Sequence, residues 1–145
     1  MRVLGVDPGE ARIGLAAGDT ETRLASPLMI LGHVSRQEDA SAIVRIAVEQ
    51  HCERIVLGLP LDSDGQPGPR ARSVMRLADA IQQMATLPVD LWDESFSSQD
   101  ARQFLALTGA KKKKRAQPQD DLAASLILQD YLSNQPESIR SEKNA

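Results

Sequence analysis

Aromatic side chains are scarce: the 145 residues include one Trp, one Tyr and two Phe. The core must therefore be built from Leu, Ile, Val and Ala. A single cysteine, Cys52, excludes an intramolecular disulfide; it reads as a small residue near the end of a helix. No apolar stretch approaches the length of a membrane span, and no charged segment followed by an apolar one opens the sequence, so a cytoplasmic location is expected. A surplus of positive charge is missing as well. With 17 Lys and Arg against 20 Asp and Glu, the formal net charge is −3. The overall basicity of many nucleic-acid binders is thus absent, and a cationic surface would have to arise from uneven distribution. There is no internal repeat.

What is present is the pattern of one α/β domain. Residues 2–7 (RVLGVD), 12–18 (RIGLAAG) and 26–34 (SPLMILGHV) read as strands, and their short links favour antiparallel neighbours. Residues 36–51 place Ala40, Ile43, Ile46 and Ala47 at helical spacing. Ser35 and Glu38 form a candidate capping box at its start. ERIVLGLPL reads as a buried strand, residues 62–70 as a turn-rich loop and residues 71–86 as a helix. LPVDLWD is a further strand, residues 97–108 a helix and residues 118–133 the last helix. The order β-β-β-α-β-α-β-α-α predicts a five-stranded mixed sheet flanked by helices. A three-stranded antiparallel meander is joined by two parallel strands. The domain is expected over residues 1–134, with residues 135–145 a polar, disordered tail.

Ligands of open α/β sheets collect at the carboxyl ends of the parallel strands, and acids fall there. Asp7 ends the first strand, in VLGVDPGEARIGLAAGD. Asp93 and Glu94 end the fifth, and Asp120 and Asp121 open the last helix. Asp120 lies in line with Ala124, Ile127 and Tyr131, at the head of the buried stripe, whereas Asp121 is turned further out. Carboxylates crowded together repel and raise one another's pKa; a divalent cation removes that difficulty. Oxygen donors without His or Cys suit Mg²⁺ or Mn²⁺, and two such ions can support phosphodiester cleavage. Taken singly, each acid also has a plainer reading: Asp7 as a turn initiator, Asp120 as a favourable charge at a helix start.

Positive charge is concentrated in KKKKR, comprising Lys111, Lys112, Lys113, Lys114 and Arg115, directly before the helix that carries Asp120. Such a run beside a metal site would attract phosphates. Arg70 and Arg72 follow a Gly- and Pro-rich loop at the end of the fourth strand, where a phosphate at a helix start is reasonable. His33, His51 and Trp92 read as structural.

Four blocks in order resemble the YqgF (RuvX) family of pre-16S rRNA nucleases and Holliday-junction-resolvase-like proteins. They are LGVDPGEARIGLA, IVLGLPLDSDGQPGPRA, LWDESFSS and DDLAASLILQDYL, spread over residues 1–134. The resemblance implies a ribonuclease-H-like fold. It also implies a nuclease using Mg²⁺ or Mn²⁺ and a role in maturing the 5′ end of 16S rRNA. The family's catalytic, metal-binding acids fall on Asp7, Glu94 and Asp120. The family's usual Arg after the third-motif acids is Ser95 here, and its two threonines are Ser97 and Ser98. In the implied fold the fifth strand is not next to the first. Glu94 must then span two strand spacings, roughly 10 Å, and the strand between offers Gly58 and Pro60 rather than an acid.

Three other readings compete. One is a Holliday junction resolvase-like DNA nuclease in recombination and repair, for which a homodimer suits a two-fold junction. Another is a non-catalytic, ribosome-associated RNA-binding factor. The third is an ATP-binding module built on the same Asp-x-Gly turn, which the lack of a second copy of the domain argues against.

Overall fold

The structure is a computed structural model that describes residues 1–61, 65–94 and 120–135. Three strands form the meander: β1 (Arg2–Pro8), β2 (Arg12–Asp19) and β3 (Leu24–Gly32). There follow α1 (Arg36–Glu49), β4 (Arg54–Leu59), α2 (Pro69–Met84), β5 (Val89–Asp93) and α3 (Asp120–Ser133). The sheet order is β3-β2-β1-β4-β5. β1 pairs antiparallel with β2 and parallel with β4, while β4 pairs parallel with β5. This is the expected mixed five-stranded sheet, with β4 between β1 and β5. The helix expected at residues 97–108 and the tail beyond residue 135 lie outside the described residues. Among the described residues no helix is long and apolar enough to cross a membrane.

The period-2 alternation of the strands sorts the core into two halves. Leu4, Val6, Ile13, Leu15, Ile55 and Leu57 point to one face, where they pack with Ile43, Ile46, Val74 and Ile81 of α1 and α2. Val3, Ala16 and Val56 point to the other and meet Ala124, Leu128, Tyr131 and Leu132 of α3. Both faces of β1 and β4 are therefore covered, which explains their unbroken apolar runs. Aliphatic side chains supply nearly all of this core, as the shortage of aromatics requires. Among the described residues the aromatic exceptions are Tyr131, buried in the second half, and Trp92, packed against it: the two rings meet edge to face at 5.2 Å, and the Trp92 Nε1–H donates to Asp130.

Local chemistry sets the element ends. Ser35 caps α1, its Oγ accepting from the Glu38 amide at 3.2 Å, as expected of half a capping box. Several boundaries differ from the sequence reading by one or two residues, most instructively in α2 and β3. α2 begins at Pro69, not residue 71, since proline is well suited to a helix's first turn, where its missing N–H costs nothing. β3 starts at Leu24 and stops at Gly32. Its register against β2 slips beside Leu15, where Met29 pairs with Leu15 and Pro27 with Ala16, leaving Leu28 as an extra residue. An edge strand tolerates both this bulge and Pro27, which has no N–H to pair.

α3 runs antiparallel to β4 and β5. Near its C-terminal end, the Tyr131 hydroxyl donates to Asp90 Oδ2 at 2.8 Å. The same Asp90 oxygen takes a 2.7 Å ion pair from Arg54 at the start of β4. One turn earlier, Ile127 lies against Gly58 near the other end of β4. The first turn of α3 is thereby carried towards the carboxyl edge of the parallel strands.

Candidate active site

Strand alternation decides which acids share a side of the sheet. On β1, Asp7 follows Val3 and Gly5 on the α3 face. On β5, Asp90 and Trp92 both contact Tyr131 of α3. The next residue in that series is Glu94, not Asp93. The Glu94 amide extends the strand by donating to the Leu59 carbonyl at 3.3 Å. Asp7 and Glu94 thus leave the carboxyl edge of the sheet on the same side.

The strand between them provides the crossing. Gly58 of β4 also faces α3, and a Cβ built on it would stand 2.6 Å from Glu94 Oε2 and 2.5 Å from Ile127 Cδ1. The Glu94 carboxyl therefore lies over bare backbone, in space that any larger residue would fill. From there its charge interacts with that of Asp7 across β4. The two-strand gap is bridged because the middle strand has no side chain at that point.

This position is electrostatically costly. Burial first, and the Asp7 charge second, push the Glu94 carboxyl up to about 7, with Asp93 adding to the rise. Arg70 acts in the opposite sense. Its Nη2 donates to the Pro8 carbonyl at 3.2 Å, which ties the start of α2 to the end of β1. Arg72 instead turns back on its own loop and donates to the Pro67 carbonyl at 3.0 Å. Of the two arginines singled out in the sequence, only Arg70 is joined to the carboxylate edge.

The turn after Asp7 closes through the Gly9 amide, which donates to the Arg12 carbonyl at 2.9 Å. Glycine is needed there for space, since a Cβ would collide with the Arg12 carbonyl; its φ is not positive. Asp120 is the first residue of α3. Ala124, Ile127 and Tyr131, the residues in line with it, are all buried against the sheet, so its backbone heads the buried stripe at the edge that holds Asp7 and Glu94. The cationic run of residues 111–115 lies outside the described residues.

Among the described residues no group of three His, Cys, Asp or Glu side chains is assembled for a metal ion. The observed pair nevertheless fits a hard cation. Two oxygen donors, half-buried and mutually repelling, are the kind of group that a divalent ion relieves. Gly58 matters less for lacking an acid than for lacking any side chain, which leaves its space to the Glu94 carboxyl.

The raised Glu94 carboxyl links stability to pH. Below about 4.5 it carries its proton in the folded and unfolded chain alike and contributes nothing. Between about 4.5 and about 7 the unfolded chain loses the proton first, so stability falls as pH rises. Above about 7 both states are ionised and the penalty is fully present. In EDTA, Glu94→Gln is expected to be more stable than the wild type at pH 8, with the difference vanishing towards pH 4.5; urea midpoints across that range check this. Gly58→Ala should flatten the same pH slope by displacing the carboxyl into solvent. A Glu94→Gln difference that does not vary with pH would contradict the crowded placement.

The family model described as "RuvX: Holliday junction resolvase" matches residues 1–134. A protein of Chloroflexus aggregans is 40% identical over 130 residues, 90% of this chain and 92% of that one. One from Syntrophomonas wolfei is 39% identical over 132 residues, covering 91% and 94%. Both carry the name "Putative pre-16S rRNA nuclease". Thermus thermophilus RuvC superposes with a TM-score of 0.62 at 16% identity, covering 97% of each chain. The fowlpox virus Holliday junction resolvase does so at 0.56 and 13%, covering 93% of this chain and 100% of that one. The fold is thus that of the RuvC-like, ribonuclease-H-fold resolvases, and by its match over residues 1–134 the chain belongs to the RuvX family.

Proposed function

We propose that this chain is a metal-dependent nuclease that hydrolyses phosphodiester bonds in pre-16S rRNA to mature its 5′ end, with Asp7, Glu94 and Asp120 as its catalytic carboxylates. The observation that carries the reading is the Glu94 carboxyl laid across Gly58 to face Asp7 at the carboxyl edge of the sheet. The names of the 40%- and 39%-identical relatives support the choice of RNA.

In this reading Asp7, Glu94 and Asp120 would hold Mg²⁺ or Mn²⁺, which when bound supplies positive charge to the reacting phosphate and lowers the pKa of bound water. The chain's own contribution is placement. Asp7 is fixed by a strand whose neighbours are buried on both faces. Glu94 is held by the β5 backbone and the space over Gly58. Asp120 comes from a helix anchored two turns later by Ile127. Arg70, tied to Pro8, stands ready to take a substrate phosphate beside the acids. Arg72 and Lys111, Lys112, Lys113, Lys114 and Arg115 extend the cationic surface for nucleic acid. A homodimer in the cytoplasm completes the proposal.

The likeness to resolvases supports a second substrate class, branched DNA, cut symmetrically by two copies. Cleavage assays with 5′-extended 16S rRNA and with four-way DNA junctions, each in Mn²⁺ or Mg²⁺, separate the two. The RNA is expected to be cut. Asp7→Asn and Asp120→Asn should each lower the rate by about a hundredfold or more, as loss of a metal-holding carboxylate removes several kcal/mol of transition-state stabilisation. Wild-type rates in these variants would overturn the assignment. RNA binding that survives Asp7→Asn, with no cleavage by the wild type, would mark a non-catalytic binding factor.

A further inference from the structure

Around the carboxyl edge from the acids, on the opposite face of the sheet, an open cleft of about 520 Å³ lies between the β1–β2 turn, α1 and α2. Its size is within the range of small-molecule sites. Ile13, Val74 and Leu77 close its floor, each of them nearly fully buried in the core. His33, Arg36 and Arg70 stand among its walls. The His33 ring is held in place: its Nδ1 shares a 2.5 Å hydrogen bond with Oδ2 of Asp39, whose Oδ1 accepts from the Val34 amide at 3.0 Å. The Asp39 side chain is only 6% exposed, against 44% for His33. A buried carboxylate is thus spent on fixing one nitrogen of a half-exposed imidazole, and Nε2 is the nitrogen left for a ligand. Glu10 also lines the cleft and repels an anionic group placed beside it.

Arg70 connects this cleft to the acids. It lines the cleft, it holds the carbonyl of Pro8 directly after Asp7, and its charge acts on Glu94. A chain of nucleotides with one phosphate at Asp7 and Glu94 would need only to pass over Pro8 and Gly9, which also line the cleft. A cleft of this size with arginines in its walls suits a nucleotide, a flat base with a charged phosphate attached. A base-paired nucleotide would have to be flipped out of its stack to enter, at a cost that an unpaired one is spared.

Resting on the nuclease reading, we propose that this cleft holds one unpaired nucleotide of the substrate strand beside the cut, with its base in the body of the cleft and its phosphate on Arg36 and Arg70. The substrate is then a strand that is single or frayed next to the scissile bond, and the His33–Asp39 pair supplies a polar contact to the flanking nucleotide. The sequence reading took His33 as structural; its bond to Asp39 explains why it is ordered, and its place in the cleft wall gives it a ligand.

Binding in EDTA tests this without depending on catalysis. The probes are two labelled RNA duplexes of equal paired length, one blunt and one with a short unpaired extension, titrated by fluorescence anisotropy. The wild type is expected to bind the extended duplex about tenfold more tightly. Ser73→Leu, which fills space at an exposed helix position lining the cleft without adding a ring for a base to stack on, should abolish that gain while leaving blunt-duplex affinity unchanged. Arg36→Gln, also exposed, should reduce the salt dependence of extended-duplex binding by about 0.7–0.9 in log–log slope. Equal wild-type affinity for the two duplexes, or a full gain retained in Ser73→Leu, would overturn the cleft assignment and leave the nuclease reading intact. Failure of the wild type to cleave in Mn²⁺, with the tenfold gain present, would overturn the nuclease reading alone.

Discussion

The site depends on bare backbone at Gly58. β4 separates β1 from β5 in the sheet, so the ends that carry Asp7 and Glu94 are two strand spacings apart. A side chain on the middle strand would have to project into the same space. Because Gly58 has none, the Glu94 carboxyl occupies that space, over the backbone and beside Ile127. The crossing puts two carboxylates of like charge within each other's field in a half-buried place and raises Glu94 to about 7. Folding alone does not favour such an arrangement, and a site that stores repulsion between acids is suited to a cation.

The remaining elements hold that crossing in place from both faces of the sheet. Below, α1 and α2 seal Leu4, Val6, Ile55 and Leu57, so that β1 and β4 cannot shift relative to each other. Above, α3 is pinned at its far end by the Asp90, Arg54 and Tyr131 group, and nearer the site by Ile127 against Gly58. The burial that pushes Tyr131 up to about 12 and its bond to Asp90 keep this hydroxyl protonated as a donor throughout the physiological range. Packing at one end of the helix thereby sets the course of its backbone to Asp120 at the other. Arg70 joins the two faces at the edge, with Pro8 on one side and the cleft on the other.

Much of this was legible in the chain. The antiparallel meander, the parallel pair and the fully buried β1 and β4 followed from short links and unbroken apolar runs. The buried stripe of Ala124, Ile127 and Tyr131 followed from their helical spacing. Alternation along VDLWDE would also have distinguished Glu94 from Asp93, because Asp90 and Trp92 precede Glu94 on the α3 side. Other features were hidden by their nature. The bulge in β3 depends on pairing with β2, and α2 begins inside a segment whose prolines read as pure turn. The partnership of His33 with Asp39 joins a strand end to a helix turn across the capped α1 start. Gly58 carries its role through the space it leaves, which residue-type patterns do not display.

The most direct measurement of the central claim is the anomalous density of a crystal soaked in Mn²⁺. The account predicts an ion at the carboxyl edge of β1 and β5, on the α3 side of the sheet, with oxygen of Asp7 and Glu94 within coordination distance. An ion bound elsewhere, or no density at this edge at saturating Mn²⁺, would contradict it.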